Sequence, residues 1–151
     1  AIDKIVSEWI ENEKNGKDVC FDINAMDIPD LVPILAVLGT FGTKPSRIKG
    51  AERLKIKESD RLLAVSEMLN TLGGKVKVLD DGLYIEPVEK LKGGEIDSFG
   101  DHRIAMCAAI AATRSENNVI IENAESVEKS YPKFFEDYKT LGGKIDGIIM
   151  G

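Results

Sequence analysis

The sequence contains few of the residues on which disulfide frameworks and cysteine–histidine zinc sites depend. Its 151 residues include two cysteines, Cys20 and Cys107, and a single histidine, His102. Two cysteines do not make a disulfide framework, and their spacing from the histidine is not that of a zinc site. Both cysteines lie among apolar neighbours, so we expect buried, reduced thiols and a reducing, cytoplasmic setting.

Long apolar runs are missing as well. No stretch approaches the roughly 20 apolar residues that a membrane-spanning helix needs, and charges interrupt the amino-terminal residues where a signal peptide would be apolar. The net charge of −6 disfavours a sequence-independent nucleic-acid binder, which needs a large basic surface. We therefore expect no membrane and no nucleic-acid partner. Because the chain begins without Met and ends on Gly151, we expect it to be an excised piece.

Helix and strand patterns alternate along the chain, whose composition (43% hydrophobic and 30% charged) is that of a globular protein. Apolar spacing and end signals predict helices that end near residue 16, start at 29, and cover 59–72, 104–112 and 130–141. Strand patterns fall at 19–23, 46–49, 53–56 and 119–121, with hairpins at 75–85 and 144–149.

The order of these patterns repeats. Leu72-Gly-Gly-Lys75 recurs as Leu141-Gly-Gly-Lys144. A period of about 70 residues indicates an internal repeat. We expect an α/β (α+β) fold with two copies of a helix–strand–helix–hairpin unit, at about 23–92 and 93–151.

The most unusual charged residues lie at predicted helix starts. A helix N-terminus offers unpaired N–H groups and a partial positive charge to phosphate or carboxylate, and arginine adds forked donors. If these helix starts converge, they form a positive pocket in an acidic protein. Each residue alone also fits an ordinary role as a first-turn acid or a surface charge. The residues are Asp30, Lys57, Glu58, Asp60, Arg61, Asp101, His102, Arg103 and Lys129.

Taken together, the motifs resemble the EPSP (5-enolpyruvylshikimate-3-phosphate) synthase family. They are Lys57-Glu-Ser-Asp-Arg61 after Ile28-Pro-Asp30, then Gly100-Asp-His-Arg103, and finally Lys129-Ser-Tyr-Pro-Lys-Phe-Phe135. The resemblance extends from about residue 23 to the end of the chain. It implies an inside-out α/β barrel of two lobes, each built from repeats of a small α/β unit, with this chain supplying part of one lobe.

The resemblance also implies an activity. The family transfers the enolpyruvyl group from phosphoenolpyruvate to the 5-hydroxyl of shikimate-3-phosphate and releases phosphate, a step of the shikimate pathway towards aromatic amino acids. It needs no metal or organic cofactor, is inhibited by glyphosate, and is expected to be cytoplasmic and monomeric when full-length. With the second lobe absent, we expect the isolated chain to be inert, and its exposed lobe edge could cause self-association.

By resemblance, two carboxylates carry the proton transfers. Asp30 occupies the position of the proton acceptor and also contacts shikimate-3-phosphate, and Glu58 occupies that of the proton donor. Lys57 matches a residue that binds shikimate-3-phosphate. From the residues themselves, two carboxylates among cations could have their pKa values pushed apart by different environments.

The remaining positions imply anion binding and support. Arg61, Arg103 and Lys129 match residues that hold phosphoenolpyruvate. His102 resembles a neighbour that helps to set the state of Glu58, and Asp101 orders its helix start. Two alternatives stay open: another enolpyruvyl transferase, such as the type acting on UDP-N-acetylglucosamine, and a stand-alone binding module, since small α/β units also occur in RNA-binding proteins.

Overall fold

The computed structural model describes residues 2–56 and 60–124, so that Lys57, Glu58 and the segment from 125 onwards lie outside it. Four helices and six strands are found in this part of the chain. In order they are α1 (Ile2–Lys14), β1 (Asp22–Asn24), α2 (Val32–Thr40), β2 (Ser46–Lys49), α3 (Arg61–Thr71), β3 (Lys75–Leu79), β4 (Gly82–Glu86), β5 (Gly94–Asp97), α4 (His102–Ala112) and β6 (Val119–Glu122). Short 3-10 helices at Pro29–Leu31 and Glu52–Ile56 precede α2 and α3.

The strands form two sheets. The larger has the order β1-β2-β4-β3, with β1 and β2 parallel and the other neighbours antiparallel. The smaller pairs β5 with β6 in parallel. Parallel neighbours need a crossover connection, which is usually a helix. Here α2 connects β1 to β2, and α4 connects β5 to β6, so both sheets contain a strand–helix–strand unit with parallel strands.

The hydrophobic core lies between the helices and the inner faces of the sheets. Helix α2 packs against α3 and α4, and α3 also packs against α4. Leu35, Leu69 and Ile104 bring one fully buried side chain from each helix, and Ile48 and Ile85 from the larger sheet join them. Burial of each such side chain contributes roughly 1.5–3 kcal/mol. This packing holds the beginnings of α3 and α4 in fixed positions relative to each other.

Helix α3 has the boundaries that its end signals predict. The Asp60 side chain caps its first turn by accepting from the Leu63 N–H at 3.2 Å. At its other end Gly73 takes a φ of +106°, which glycine adopts without the strain of a side chain, and the Gly74 N–H donates to the Leu69 carbonyl at 2.7 Å. The predicted hairpin follows directly as β3 and β4.

Two strand predictions need correction. Residues 53–56 lie in a 3-10 helix, because Leu54 turns into the core and is fully buried while Ile56 is 84% exposed. The strand predicted at 19–23 begins at Asp22. Before it, the N–H groups of Val19 and Phe21 donate to the side-chain hydroxyls of Thr43 and Ser46 instead of to backbone carbonyls. Strand β5 was not predicted at all.

The cysteine prediction is half right. Cys107, on α4, is buried as expected, but Cys20 is exposed. Side chains alternate between faces along an extended segment. Val19 takes the inward position here and is almost fully buried, so Cys20 points outward.

Within residues 2–56 and 60–124, every helix falls short of the length and apolarity that crossing a membrane requires.

Candidate active site

The candidate site lies where parallel strands end. Along the chain, Asp30 follows β1, Arg61 follows β2, and Asp101 follows β5. In open α/β sheets, the crevice beyond the carboxyl ends of the strands is the usual place for a ligand. Lys129 follows β6 in the sequence but lies outside the described residues, as do Lys57 and Glu58.

Asp101 lies at the centre of the described part of the site. It is the N-cap of α4, where its Oδ1 accepts from the Arg103 backbone N–H at 3.0 Å. Its Oδ2 accepts from Nε of Arg61 at 2.8 Å. The residue is 0% exposed. One carboxylate therefore connects the first turn of α4 to the first residue of α3.

Arg61 is buried together with Asp101. Its side chain is only 3% exposed, and its Nη1 donates to Oδ1 of Asp30 at 3.3 Å. A buried guanidinium is costly unless it is paired and hydrogen-bonded. Asp101 and Asp30 supply that pairing from two different segments of the chain.

Arg103 approaches Asp30 from the solvent side. Its Nη1 donates to the Asp30 carbonyl oxygen at 3.3 Å, and its Nη2 lies 3.9 Å from Oδ2 of Asp30. The two side chains are 35% and 52% exposed. Asp30 is thus shared by Arg61 and Arg103, and the described residues bring together two carboxylates and two guanidinium groups.

The remaining predicted residues are placed less centrally. His102 is the first residue of α4 and is partly buried. Asp30 lies in the 3-10 helix Pro29–Leu31 rather than in the first turn of α2, which begins at Val32. The predicted positive pocket stays a prediction, because Lys57 and Lys129 lie outside the described residues.

A turn that the sequence reasoning missed holds Asp101 in place. The Asp101 N–H donates to the Ser98 carbonyl at 2.9 Å, and the Ser98 hydroxyl donates to the Asn123 carbonyl at 2.8 Å. Oδ1 of Asp97 accepts from the Phe99 N–H at 2.7 Å and from Nδ2 of Asn123 at 2.8 Å. An aspartate that bonds the backbone two residues on is a turn signal, and Asp-Ser-Phe-Gly contains it.

Cys107 lies one helical turn beyond Arg103 on α4 and has no reactive character. Burial raises the pKa of its thiol from 9.0 to about 12, with Arg103 opposing the rise and Asp101 adding to it. The group therefore stays protonated at neutral pH. A thiolate nucleophile would need the opposite shift in pKa. No group of three or more His, Cys, Asp or Glu suited to a metal ion is found among residues 2–56 and 60–124.

Comparison with known sequences gives one family. The model described as EPSP synthase (3-phosphoshikimate 1-carboxyvinyltransferase) matches residues 2–138. A 3-phosphoshikimate 1-carboxyvinyltransferase of Clostridium novyi is 48% identical over 148 residues, which are 98% of this chain and 34% of the relative. The protein of the same name from Clostridium acetobutylicum is 54% identical over 129 residues, 85% of this chain and 30% of the relative. The chain thus spans about a third of the length of these relatives.

Solved structures agree on the fold. An EPSP synthase from Acinetobacter baumannii superposes with a TM-score of 0.71 at 30% identity, over 80% of this chain and 28% of that protein. The enolpyruvyl transferase NikO from Streptomyces tendae superposes with a TM-score of 0.66 at 22% identity, over 82% of this chain and 28% of that one, and shows the fold alone. The mixed α/β fold is confirmed, and the chain corresponds to part of one lobe.

Proposed function

The chain belongs to the EPSP synthase family, and on that premise we propose that it carries part of an active site for enolpyruvyl transfer. The reaction takes the enolpyruvyl group from phosphoenolpyruvate to the 5-hydroxyl of shikimate-3-phosphate and releases phosphate. The observation that carries the proposal is the meeting of Asp30, Arg61, Asp101 and Arg103 at distances of 2.8–3.9 Å. We further propose that the full-length enzyme is a cytoplasmic monomer of the shikimate pathway.

The chemistry explains why these residue types are needed. The hydroxyl adds to the substituted enol carbon while the methylene carbon gains a proton, and phosphate then leaves the tetrahedral intermediate as the resulting methyl group loses a proton. A base must take the hydroxyl proton, an acid must protonate the methylene carbon, and cations must hold a carboxylate and two phosphates. In this proposal Asp30 is the base and Glu58 the acid.

The arginines have the anion-binding role. Guanidinium groups match carboxylate and phosphate with two parallel hydrogen bonds. Arg61 and Arg103 hold phosphoenolpyruvate together with Lys129, while Lys57 and Asp30 hold shikimate-3-phosphate. The contact between Arg103 and the Asp30 carboxylate is long, at 3.9 Å, and partly exposed, so an incoming anion can replace it. Arg61 is only 3% exposed, and an incoming anion reaches it by replacing its 3.3 Å contact with the half-exposed Asp30.

His102 and Asp101 have supporting roles at the start of α4. His102 helps to set the protonation state of Glu58, and Asp101 orders the helix start.

In the proposed repeat, at 23–92 and 93–151, both copies place charged residues beyond the ends of parallel strands. Its support is the likeness of β1–α2–β2 and β5–α4–β6, each a helix between two parallel strands.

A chimeric enzyme tests the proposed function. In this chimera the 151 residues replace the matching third of the Clostridium novyi relative, which is 48% identical over 148 residues. Phosphate release by the chimera is measured with both substrates. We expect turnover within about tenfold of that relative, and an Arg103→Ala variant with kcat/KM for phosphoenolpyruvate reduced about 10²–10³-fold. Arg47→Ala, which removes an exposed arginine of a surface ion pair, is the matched control and should change little. An inactive but folded chimera would contradict the proposal.

The chain by itself should be inert. Charges that are preorganised in a closed, water-excluding site stabilise a transition state far more than the same charges in water. The chain provides about a third of the length of its relatives. Phosphate release by the 151-residue chain, at even a small fraction of the chimera's rate, would overturn this expectation.

A further inference from the structure

We propose that Asp101 is a positioning residue, which fixes the guanidinium plane of Arg61 and the backbone at Arg103 simultaneously so that both arginines face one anionic substrate. This inference rests on the proposed function, in which these two arginines hold phosphoenolpyruvate. It goes beyond the ordering of one helix start, because it makes a single carboxylate responsible for the relative placement of two cationic groups on two helices.

The two oxygens of Asp101 have separate tasks. Oδ1 accepts from the Arg103 backbone N–H at 3.0 Å, and Oδ2 accepts from Nε of Arg61 at 2.8 Å. A bond to Nε fixes the orientation of the whole planar guanidinium, because Nε belongs to that plane. A capping bond likewise fixes where the first turn of α4 begins.

Burial makes this junction rigid. Asp101 is 0% exposed and the Arg61 side chain 3%, so water cannot readily replace either partner. Charge-assisted hydrogen bonds are shorter and stronger than neutral ones, and low polarity strengthens them further. Helices α3 and α4 also pack against each other. Replacing Asp101 by asparagine or serine should therefore change the direction of the Arg61 guanidinium and lower folding stability, while α3 and α4 remain packed against each other.

Asp60 also caps the first turn of a helix, but unlike Asp101 it does not orient the Arg61 guanidinium. It is the N-cap of α3, and its Oδ1 accepts from the Leu63 N–H at 3.2 Å. Its side chain lies at the surface. A substitution at Asp60 therefore measures what an aspartate cap contributes, and the same substitution at Asp101 measures that contribution plus the orientation of Arg61.

Asparagine separates the two tasks at position 101. Asparagine and serine are about as good as aspartate at an N-cap. The asparagine amide has one acceptor oxygen and one donor nitrogen. If the oxygen caps α4, the nitrogen faces Nε of Arg61, so that two donors meet and the guanidinium must turn. Asp101→Ser keeps a capping hydroxyl and removes the second acceptor altogether.

The test measures steady-state kinetics of Asp101→Asn, Asp101→Ser and Asp60→Asn in the chimera described above. We expect both Asp101 variants to lower kcat/KM for phosphoenolpyruvate about 10–100-fold, the scale of a small misplacement of a binding group. The KM for phosphoenolpyruvate should rise at least about fivefold, while that for shikimate-3-phosphate should rise less than about twofold, because the misplaced arginines hold the former substrate. Asp60→Asn should stay within about twofold of the parent.

Each outcome decides between the two proposals. An inactive, folded parent chimera contradicts the proposed function, and this inference falls with it. An active parent whose Asp101 variants keep the parental KM for phosphoenolpyruvate contradicts the inference alone. Equal reductions in kcat/KM for both substrates, with a matching loss of folded protein by circular dichroism, would show that Asp101 has only a structural role and would also contradict the inference. If Asp101→Asn does not fold, the same criteria apply to Asp101→Ser.

Discussion

Asp60 and Asp101 occupy equivalent local positions and have different surroundings. Each is an N-cap aspartate whose carboxylate accepts from a backbone N–H in the first turn of its helix. Asp60 lies at the surface, whereas Asp101 is fully buried and also accepts from Nε of Arg61 at 2.8 Å. A cap signal thus identifies where a helix begins, while the packing of a second helix decides whether the capping carboxylate also binds a cation.

The largest expected difference between the two caps is in folding stability. Asp101→Ala removes the fully buried partner of the Arg61 guanidinium, which typically costs about 3–5 kcal/mol, because the half-exposed Asp30 is a more distant partner than Asp101. Asp60→Ala removes only a cap, which costs about 1 kcal/mol. Urea denaturation of the 151-residue chain measures both free energies of unfolding. Equal losses of unfolding free energy in the two alanine variants would contradict the proposed difference between the Asp60 and Asp101 caps.

Alkaline pH offers a second test of the effect of burial, at the thiol of Cys107. Because the pKa of the Cys107 thiol is about 12 in the folded chain and 9.0 ordinarily, the unfolded chain releases this proton first as pH rises. Stability should therefore fall above pH 9.0 by up to about 1.4 kcal/mol per pH unit more than in Cys107→Ala. Denaturation at pH 8 and 10.5 checks this. Parallel pH dependences of parent and variant would contradict it.

Double-mutant cycles compare the two ion pairs of the site. The exposed pair Arg103–Asp30, at 3.9 Å, should show a coupling free energy below about 1 kcal/mol. The buried pair Arg61–Asp101 should show a coupling of about 2–3 kcal/mol, the upper part of the range for contacting residues. Alanine variants, single and double, supply both cycles. A larger coupling free energy for the exposed pair would contradict the assignment of Arg61–Asp101 as the rigid pair and Arg103–Asp30 as the replaceable one.

The smallest effect concerns carboxylates outside the site. A side-chain hydrogen bond with Glu95, and then the charge of Glu95, raise the pKa of Glu122 above its usual value. Glu95→Gln should therefore lower the pKa of Glu122 without altering the fold. Carboxyl carbon shifts followed by NMR over an acid titration measure it. An unchanged titration of Glu122 would show that these exposed strand residues do not interact.

Local signals predicted the parts of the fold that local chemistry determines. The start of α3 after Asp60, its end before Gly73, and the β3–β4 hairpin all follow from caps and turn residues. The strand wrongly predicted at 53–56 contains apolar residues that fit either structure, and only the burial of Leu54 against the core selects a 3-10 helix. Short apolar runs are ambiguous in this way.

The sequence predicts the residues of the candidate site but not their geometry. Residue types at predicted helix starts, together with the family resemblance, indicate Asp30, Arg61, Asp101 and Arg103. No spacing rule indicated that Arg61 would be buried against Asp101, which lies 40 residues away. That contact depends on how α3 packs on α4, a tertiary property. The same limitation explains why Cys20 and Cys107, with similar neighbours, differ in exposure.

The most direct test of the junction is the solvent exchange of arginine Nε–H protons in the 151-residue chain, measured by ¹⁵N NMR. We predict that the Arg61 Nε–H exchanges at least about tenfold more slowly than that of Arg103, because it is buried and donates to Asp101 at 2.8 Å. Asp101→Asn should abolish this protection, and Asp60→Asn should preserve it. Equal exchange at Arg61 and Arg103 in the parent chain, or protection that survives Asp101→Asn, would contradict the account.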